Sequence, residues 1–259
     1  MIDIEKAKKE FLKYVENYDI NSGRIKLKVK HILRVVENSK RIAQELGLDD
    51  ESIKLAELIG IFHDMGRFEQ VRLYDTFSDK DTGLDHAAYS LKVLYDDGLV
   101  KKFIDTTKYD DIIKKAVFNH NKANIDESVT SQALLFSKII RDADKLDIYR
   151  VINEDKMKDI FWYKEFDNLK MSEGLMDKFI NDKFISYKDI HNNADLIYVF
   201  YGYVYDFNFS SCFKIIKENK YLDNFLIRIK DTFKSDEITQ NTEKLLKICN
   251  KYMDEKIEK

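Results

Sequence analysis

Helix-breaking residues are almost absent from this chain. Its 259 residues include no proline and only eight glycines, the two residue types that most disfavour a helix interior. Over long segments the apolar residues recur at i, i+3, i+4 and i+7, and no run with a two-residue period is bounded by hairpin signals. The sequence therefore predicts an all-α fold, built as a bundle of about ten helices.

The predicted helices follow one another along the whole chain. Their approximate bounds are residues 4–18, 22–46, 51–64, 86–97, 108–121 and 128–152, and then 172–181, 187–206, 219–232 and 236–256. Ser22 is the expected N-cap of the second helix and Gly47 its C′ residue, and Gly66 is expected to close the third helix. The polar segment from Arg67 to Leu84 is predicted to be a loop.

The composition is that of a globular protein without a large excess of either charge. Hydrophobic residues make up 44% of the chain, which is too apolar for a disordered protein. The formal net charge of −3 gives no field for general nucleic-acid binding. Two cysteines, Cys212 and Cys249, argue against a disulfide framework or a thiolate zinc site and suit a reducing cytosol. With neither a signal peptide nor an apolar run of about 18 residues, we expect a cytoplasmic protein that does not enter a membrane.

No linker, repeat or low-complexity tract divides the chain. We therefore expect a single domain over residues 1–259, with a motif-bearing core of about 25–152 and a C-terminal helical extension of about 153–259. The extension contributes no motif. Its aromatic-rich stretch, residues 198–209, is expected to be core or the face of a homodimer rather than a wall for a substrate.

Four of the five histidines lie where a helix could present them to the protein interior. His31 shares a helix face with Leu27 and Val35, so its imidazole is expected to point inwards. The full set of candidate ligands is His31, His63, Asp64, His86, His120 and a carboxylate from the apolar helix that carries Asp142, Asp144 and Asp147.

Such a set of inward polar groups is best explained by one shared partner. A buried carboxylate or imidazole is costly unless it is paired or coordinated. Mixed imidazole and carboxylate ligands suit Mn, Fe, Zn, Co or Ni. A lone inward histidine is more often a hydrogen-bonded core residue, and the three carboxylates could instead line a solvated face with Arg141, Lys145 and Arg150. The ordered set favours a metal site, and His191, which lies outside it, is expected to be structural or exposed.

The ordered motifs resemble the HD superfamily of metal-dependent phosphohydrolases. They are His31, then His63-Asp64-Met65-Gly66-Arg67, then His86, His120 and Ala143-Asp144-Lys145-Leu146-Asp147. The match covers roughly residues 25–152. The resemblance implies an HD-domain helical bundle in which His31, His63, Asp64 and Asp144 bind a first metal. The superfamily's Ala-Asp-x-Leu pattern points to Asp144, where periodicity alone leaves Asp142 and Asp144 open.

In members with two metals, Asp64 would bridge the ions, and His86 and His120 would hold the second. The sequence differs from two-metal members at a position next to this second site. Asn121 and Lys122 follow His120, where cyclic-dinucleotide phosphodiesterases with the HD-GYP signature usually have another histidine. This difference, together with the missing Gly-Tyr-Pro signature, disfavours cyclic di-GMP as the substrate.

The activity that the resemblance implies is hydrolysis of a phosphate ester or anhydride in a small phosphorylated substrate, with a nucleotide as the first candidate. The cofactor would be one or two divalent ions of Mn, Fe, Co, Ni, Zn or Mg. Asp64 is predicted to accept a hydrogen bond from the nucleophile and Arg67 to clamp the phosphate. Lys145 and Lys122 are weaker candidates for the clamp, because both could be ordinary surface lysines. The alternatives are a mixed-valent di-iron oxygenase, which uses the same ligand set, and a non-catalytic metal-binding sensor module.

Overall fold

A computed structural model describes residues 2–161, 165–167 and 169–258. The regular structure in these residues is helical throughout, and none of them belongs to a strand. The prediction of an all-α fold is confirmed. The chain falls into two compact units, Met1–Asp147 and Ile148–Lys259, and the expected organisation as one domain stays a prediction.

Nine α-helices begin in the first unit. They are α1 (Ile4–Val15), α2 (Gly23–Glu45), α3 (Asp50–Phe62), α4 (Gly66–Tyr74), α5 (Asp79–Thr82), α6 (His86–Leu91), α7 (Val100–Phe103), α8 (Asp110–Asn119) and α9 (Ser131–Glu154). A π-helical turn, Lys92–Asp96, continues α6. Several helix ends are set by local chemistry that the sequence already shows. Asp49 accepts a hydrogen bond from Ser52 N at the start of α3, and Gly47 has the positive φ of +67° that suits the end of α2.

The second unit continues with α10 (Met157–Ile160), α11 (Leu175–Asp182), α12 (Asn193–Gly202), α13 (Ser210–Glu218), α14 (Tyr221–Phe233) and α15 (Asp236–Ile257). The predicted helix over residues 187–206 is wrong in extent, because the Asn192 side chain accepts from two backbone N–H groups and starts α12 afresh. Helix α13 was not predicted. Much of the aromatic stretch lies in the interior of this unit, where Tyr198 and Tyr201 are buried.

The prediction of a loop from Arg67 to Leu84 is wrong. This segment forms α4 and α5, and it is anchored by Phe68, which is fully buried. Several polar side chains of the segment hydrogen-bond one another. Gln70 Nε2, for example, donates to Asp79 Oδ1 at 2.9 Å and to Thr82 Oγ1 at 3.2 Å. The polarity of the segment therefore predicted a loop wrongly, because some of its polar side chains are hydrogen-bonded within the protein.

Gly66 does not close α3, as the sequence suggested, but begins α4. Its role is to allow a close approach of two backbones. A Cβ at this position would stand 2.6 Å from Ser90 N and 2.7 Å from His86 O, both in the backbone of α6. The Ser90 hydroxyl accepts from Gly66 N at 2.8 Å and lies 2.9 Å from the carbonyl oxygen of His63. Because Gly66 has no side chain, α6 packs directly against the chain that follows α3.

Helices α2 and α3 pack closely against each other. Gly60 of α3 approaches α2 so nearly that a Cβ there would lie 3.1 Å from Val36 Cα. Ile32, Val35 and Ile59 are buried in this region, and each such side chain contributes about 1.5–3 kcal/mol through burial. This close packing places the middle of α2 opposite the end of α3. Among the described residues, no helix combines the length and the apolar character needed to cross a membrane.

Candidate metal centre

Five helices bring the candidate ligands together inside the first unit. His31 lies in the middle of α2, the pair His63-Asp64 follows α3, His86 begins α6, His120 follows α8 and Asp144 lies on α9. His63 is fully buried and the His31 side chain is 11% exposed. The face of His31 is only partly as predicted, because Val35 is buried whereas Leu27 is 43% exposed.

The first group of ligands surrounds one oxygen of Asp64. Asp64 Oδ2 lies 3.4 Å from His31 Nε2 and 3.5 Å from His63 Nε2. Asp144 Oδ1 completes the group at 3.2 Å from His31 Nε2 and 3.9 Å from His63 Nε2. Neighbouring ligands in a metal site are about this far apart, because each lies about 2 Å from the ion.

The second group surrounds the other oxygen of the same carboxylate. Asp64 Oδ1 lies 3.5 Å from His86 Nε2 and 3.7 Å from His120 Nε2, and these two nitrogens are 3.0 Å apart. Asp64 Oδ1 is buried and has no hydrogen-bond partner among the described residues. A buried carboxylate oxygen without a partner is costly, and a cation between the three side chains would satisfy it.

All four histidines are oriented by the ring nitrogen that faces away from Asp64. His63 Nδ1 donates to Gly60 O at 2.7 Å and His120 Nδ1 donates to Val117 O at 2.6 Å. His31 Nδ1 donates to Asp147 Oδ2 at 2.7 Å, and His86 Nδ1 donates to Asp79 Oδ2 at 2.5 Å. In a neutral ring these bonds place the proton on Nδ1, so that the Nε2 lone pair is directed at the centre, as in a metal-binding histidine.

The groups around the centre keep its carboxylates in their charged form. Burial alone would raise the pKa of Asp64, but Lys28 and the surrounding histidines hold that pKa well below its usual range. Burial and Lys28 lower the pKa of His31, yet hydrogen bonds to three carboxylates outweigh them and raise it to about 10. A proton on His31 therefore balances part of this charge in the metal-free protein, and a metal ion that binds there must displace it.

The donor set, the orphaned oxygen of Asp64 and the direction of the Nε2 lone pairs all fit a divalent cation. Residues 29–149 match the family model of the HD domain. The chain contains an HD domain over these residues. This HD domain contains all six candidate ligands described above, and the superfamily is of the metal-dependent hydrolase type. Comparisons with curated proteins and with solved structures gave no match.

Of the three carboxylates on α9, the structure brings Asp144 to the first group. Asp142 is fully buried elsewhere on the helix, and Asp147 lies behind His31. The alternative of a solvated face does not hold for these positions. Arg141 is also buried, and it donates to Asn119 O at 3.0 Å and to Ala123 O at 3.1 Å. It thereby ties the chain around His120 to α9.

Arg67 lies beside the second group within the HD domain. Its Nη2 is 3.3 Å from His86 Nε2, and its Nε is 3.6 Å from Asp64 Oδ1. Its Nη1 donates to Phe77 O at 2.5 Å and to Asp79 Oδ1 at 2.6 Å. The guanidinium is therefore placed close to the ligands, but one of its nitrogens is occupied by the protein.

The other predicted phosphate ligands have different surroundings. Lys145 follows Asp144 on α9 and is partly buried. Lys122 forms an ion pair with Asp85, and Asn121 Nδ2 donates to the same carboxylate at 3.0 Å. The two residues after His120 thus bind the N-cap of α6. His191 is exposed, as expected, and lies in the second unit.

Four side chains beside the candidate ligands were not predicted from the sequence to have a role there: Lys28, Asp79, Asp147 and Arg34. Lys28 Nζ donates to Asp64 Oδ2 at 2.6 Å, and Arg34 Nε donates to Asp147 Oδ1 at 2.5 Å. Spacing could have identified two of them, because Lys28 and Arg34 each lie three residues from His31 and so share its side of α2. Asp79 gave no such signal, since it lies in the segment that was predicted to be a loop.

Proposed function

We propose that this HD domain is a metal-dependent phosphohydrolase that cleaves a phosphate ester or anhydride of a small metabolite, with nucleotides as the first substrates to test. The observation that carries the proposal is the arrangement around Asp64. Four histidines, each held by its Nδ1, direct their Nε2 atoms at the two oxygens of one buried carboxylate.

The residues of the two groups would divide the work of binding. His31, His63, Asp64 and Asp144 would hold one cation, and Asp64, His86 and His120 would hold a second. A bound divalent ion would supply Lewis acidity and lower the pKa of its water towards about 7. Asp64 would also accept a hydrogen bond from the attacking water and orient it. Asp147 and Asp79 would keep the rings of His31 and His86 in place.

Positive side chains beside the ligands favour a phosphorylated substrate. Lys28 and Arg67 both contact Asp64, and Lys145 adjoins Asp144 in the sequence. A guanidinium or an ammonium next to the metal ligands would offset the charge of the phosphoryl oxygens. We propose that Arg67 contributes through Nε and Nη2, because its Nη1 is already bonded to Phe77 and Asp79.

The test is a panel of phosphorylated metabolites assayed with Mn, Co, Ni, Mg, Fe and Zn. The wild-type protein is compared with Asp64→Asn, which keeps the shape of the side chain and removes its charge. His191→Ala serves as the matched control, because this histidine is exposed and belongs to neither group. We expect hydrolysis with at least one metal, a loss of activity and bound metal in Asp64→Asn, and wild-type behaviour in His191→Ala. If no phosphoester is cleaved with any metal, the proposal fails.

The same preparations separate the two alternatives. A protein that is purified with two irons and consumes oxygen in the presence of a substrate would be a di-iron oxygenase. A protein that retains its metal content in Asp64→Asn and shows no activity in any assay would be a non-catalytic module. Metal analysis and an oxygen electrode therefore accompany the phosphatase panel.

A further inference from the structure

Lys28 occupies an unusual place for a lysine in a protein that has many of them. Its side chain is 12% exposed, and its ammonium lies 2.6 Å from Asp64 Oδ2, the oxygen that faces His31 and His63. The side chain passes over the ring of Phe77, with Nζ 5.0 Å from the ring centroid. Lys28 is thus a largely buried cation that forms an ion pair with Asp64, the carboxylate shared by the two groups of candidate ligands.

A divalent ion in the first group would approach the same oxygen. An ammonium 2.6 Å from Asp64 Oδ2 and a metal ion about 2 Å from it would lie within a few ångströms of each other, and two positive charges so close repel strongly in a poorly hydrated site. The geometry therefore favours one cation on Oδ2 at a time. Lysine has a flexible four-carbon stem, so its ammonium can leave without any movement of the helix.

We propose that Lys28 neutralises Asp64 in the metal-free protein, is displaced when a divalent cation binds to Oδ2, and then binds the phosphoryl oxygens of the substrate. This inference rests on the proposed function for its last step only. The displaced ammonium remains tethered to α2 beside the ring of Phe77, at the edge of the first group. A phosphate bound to the metal would bring new negative charge to that position. Lys28 thus moves from Asp64 to the phosphate of the substrate when the metal ion and the substrate bind.

The first part of the test measures metal binding alone, with Mn²⁺ as the probe. Lys28→Gln removes the charge and keeps a hydrogen-bond donor, while Lys28→Arg keeps the charge. Lys30→Gln is the matched control, because Lys30 is an exposed lysine on the same helix. We expect Lys28→Gln to bind Mn²⁺ about tenfold more tightly, the effect of removing one like charge near the ion. Lys28→Arg and Lys30→Gln should keep the wild-type Kd. Weaker Mn²⁺ binding by Lys28→Gln would show that Lys28 supports the ligands, and would overturn the proposal.

The second part follows thermal stability with and without Mn²⁺. Lys28→Gln should lower the melting temperature of the metal-free protein, because Asp64 then loses its counter-charge. The rise in melting temperature on adding Mn²⁺ should be larger for Lys28→Gln than for the wild type. If the variant is destabilised equally with and without Mn²⁺, Lys28 stays on Asp64 in both states and the exchange does not occur.

The third part uses inorganic phosphate as the probe for the Mn²⁺-loaded protein. We expect phosphate to bind about tenfold more weakly to Lys28→Gln than to the wild type and to Lys30→Gln. Equal phosphate affinity in all three proteins would refute the transfer of Lys28 to the substrate. These binding measurements need no turnover. If the wild type hydrolyses no phosphoester, only the proposed function fails. The Mn²⁺ and phosphate measurements still test whether Lys28 leaves Asp64 and binds phosphate.

Discussion

Replacing Gly66 with alanine is expected to damage one half of the metal centre more than the other. The Cβ of an alanine would stand 2.6 Å from Ser90 N, 2.7 Å from His86 O and 2.9 Å from Tyr89 C. All three atoms belong to the backbone of α6, so no side chain can turn aside to make room. Helix α6 must recede from α4, and it carries His86 with it.

The size of the effect follows from these distances. To reach an ordinary contact of 3.4 Å, Ser90 N must move by about 0.8 Å from its present 2.6 Å. Metal ligands tolerate errors of only about 0.2 Å, so a shift of this size withdraws His86 from an ion shared with Asp64 and His120. Overpacking a tight contact costs about 1–3 kcal/mol, which lowers the melting temperature by about 2–12 °C.

The assay combines thermal unfolding of the metal-free protein with a Mn²⁺ titration. Gly66→Ala should melt lower and should lose affinity for the ion on the side of His86 and His120, while the ion on the side of His31 and Asp144 is retained. Gly23→Ala is the matched control, because nothing lies within 4 Å of a Cβ there, and it should leave or slightly raise the melting temperature. A Gly66→Ala protein with the melting temperature and the Mn²⁺ binding of the wild type would refute this account of the α4–α6 contact.

Three further predictions concern groups around and away from the centre. In the metal-free protein, the pKa of His31 is raised from 6.5 to about 10. Its contribution to stability is therefore fully present below pH 6.5 and is lost as the pH rises through about 10. Urea unfolding with a chelator present should show a smaller fall in the free energy of unfolding over this pH range for His31→Gln than for the wild type. Asp147→Asn should weaken Mn²⁺ binding by about 10–100-fold, because the carboxylate that orients His31 Nδ1 is lost; isothermal titration would contradict this if the Kd were unchanged. Asn192→Ala removes the N-cap of α12 and should cost about 1 kcal/mol in chemical denaturation, with wild-type Mn²⁺ affinity, since Asn192 lies in the second unit.

The order of the candidate ligands along the chain could be predicted without a structure. His31, the His63-Asp64 pair, His86 and His120 were identified because each stands on or beside a segment with helical periodicity, and such periodicity is a local property of the sequence. The absence of proline likewise predicted helices throughout. The choice of Asp144 over Asp142 was different, because neighbouring residues of one helix have similar apolar surroundings, and only the likeness to the HD superfamily favoured Asp144.

The tertiary structure decided the contacts between segments that lie far apart in the sequence. The ion pair of Lys28 with Asp64 joins α2 to the end of α3. The role of Gly66 depends on the backbone of α6, twenty or more residues later. The burial of Gln70 in α4 depends on partners such as Asp79, which hydrogen-bonds both Gln70 and His86. Periodicity reports which face of a helix is apolar, whereas the partner that satisfies a buried charge is fixed only when the helices pack. The sequence by itself therefore determined the all-α class and the candidate donor residues, because periodicity is local, and packing determined the bounds of several helices and the partners that surround each donor.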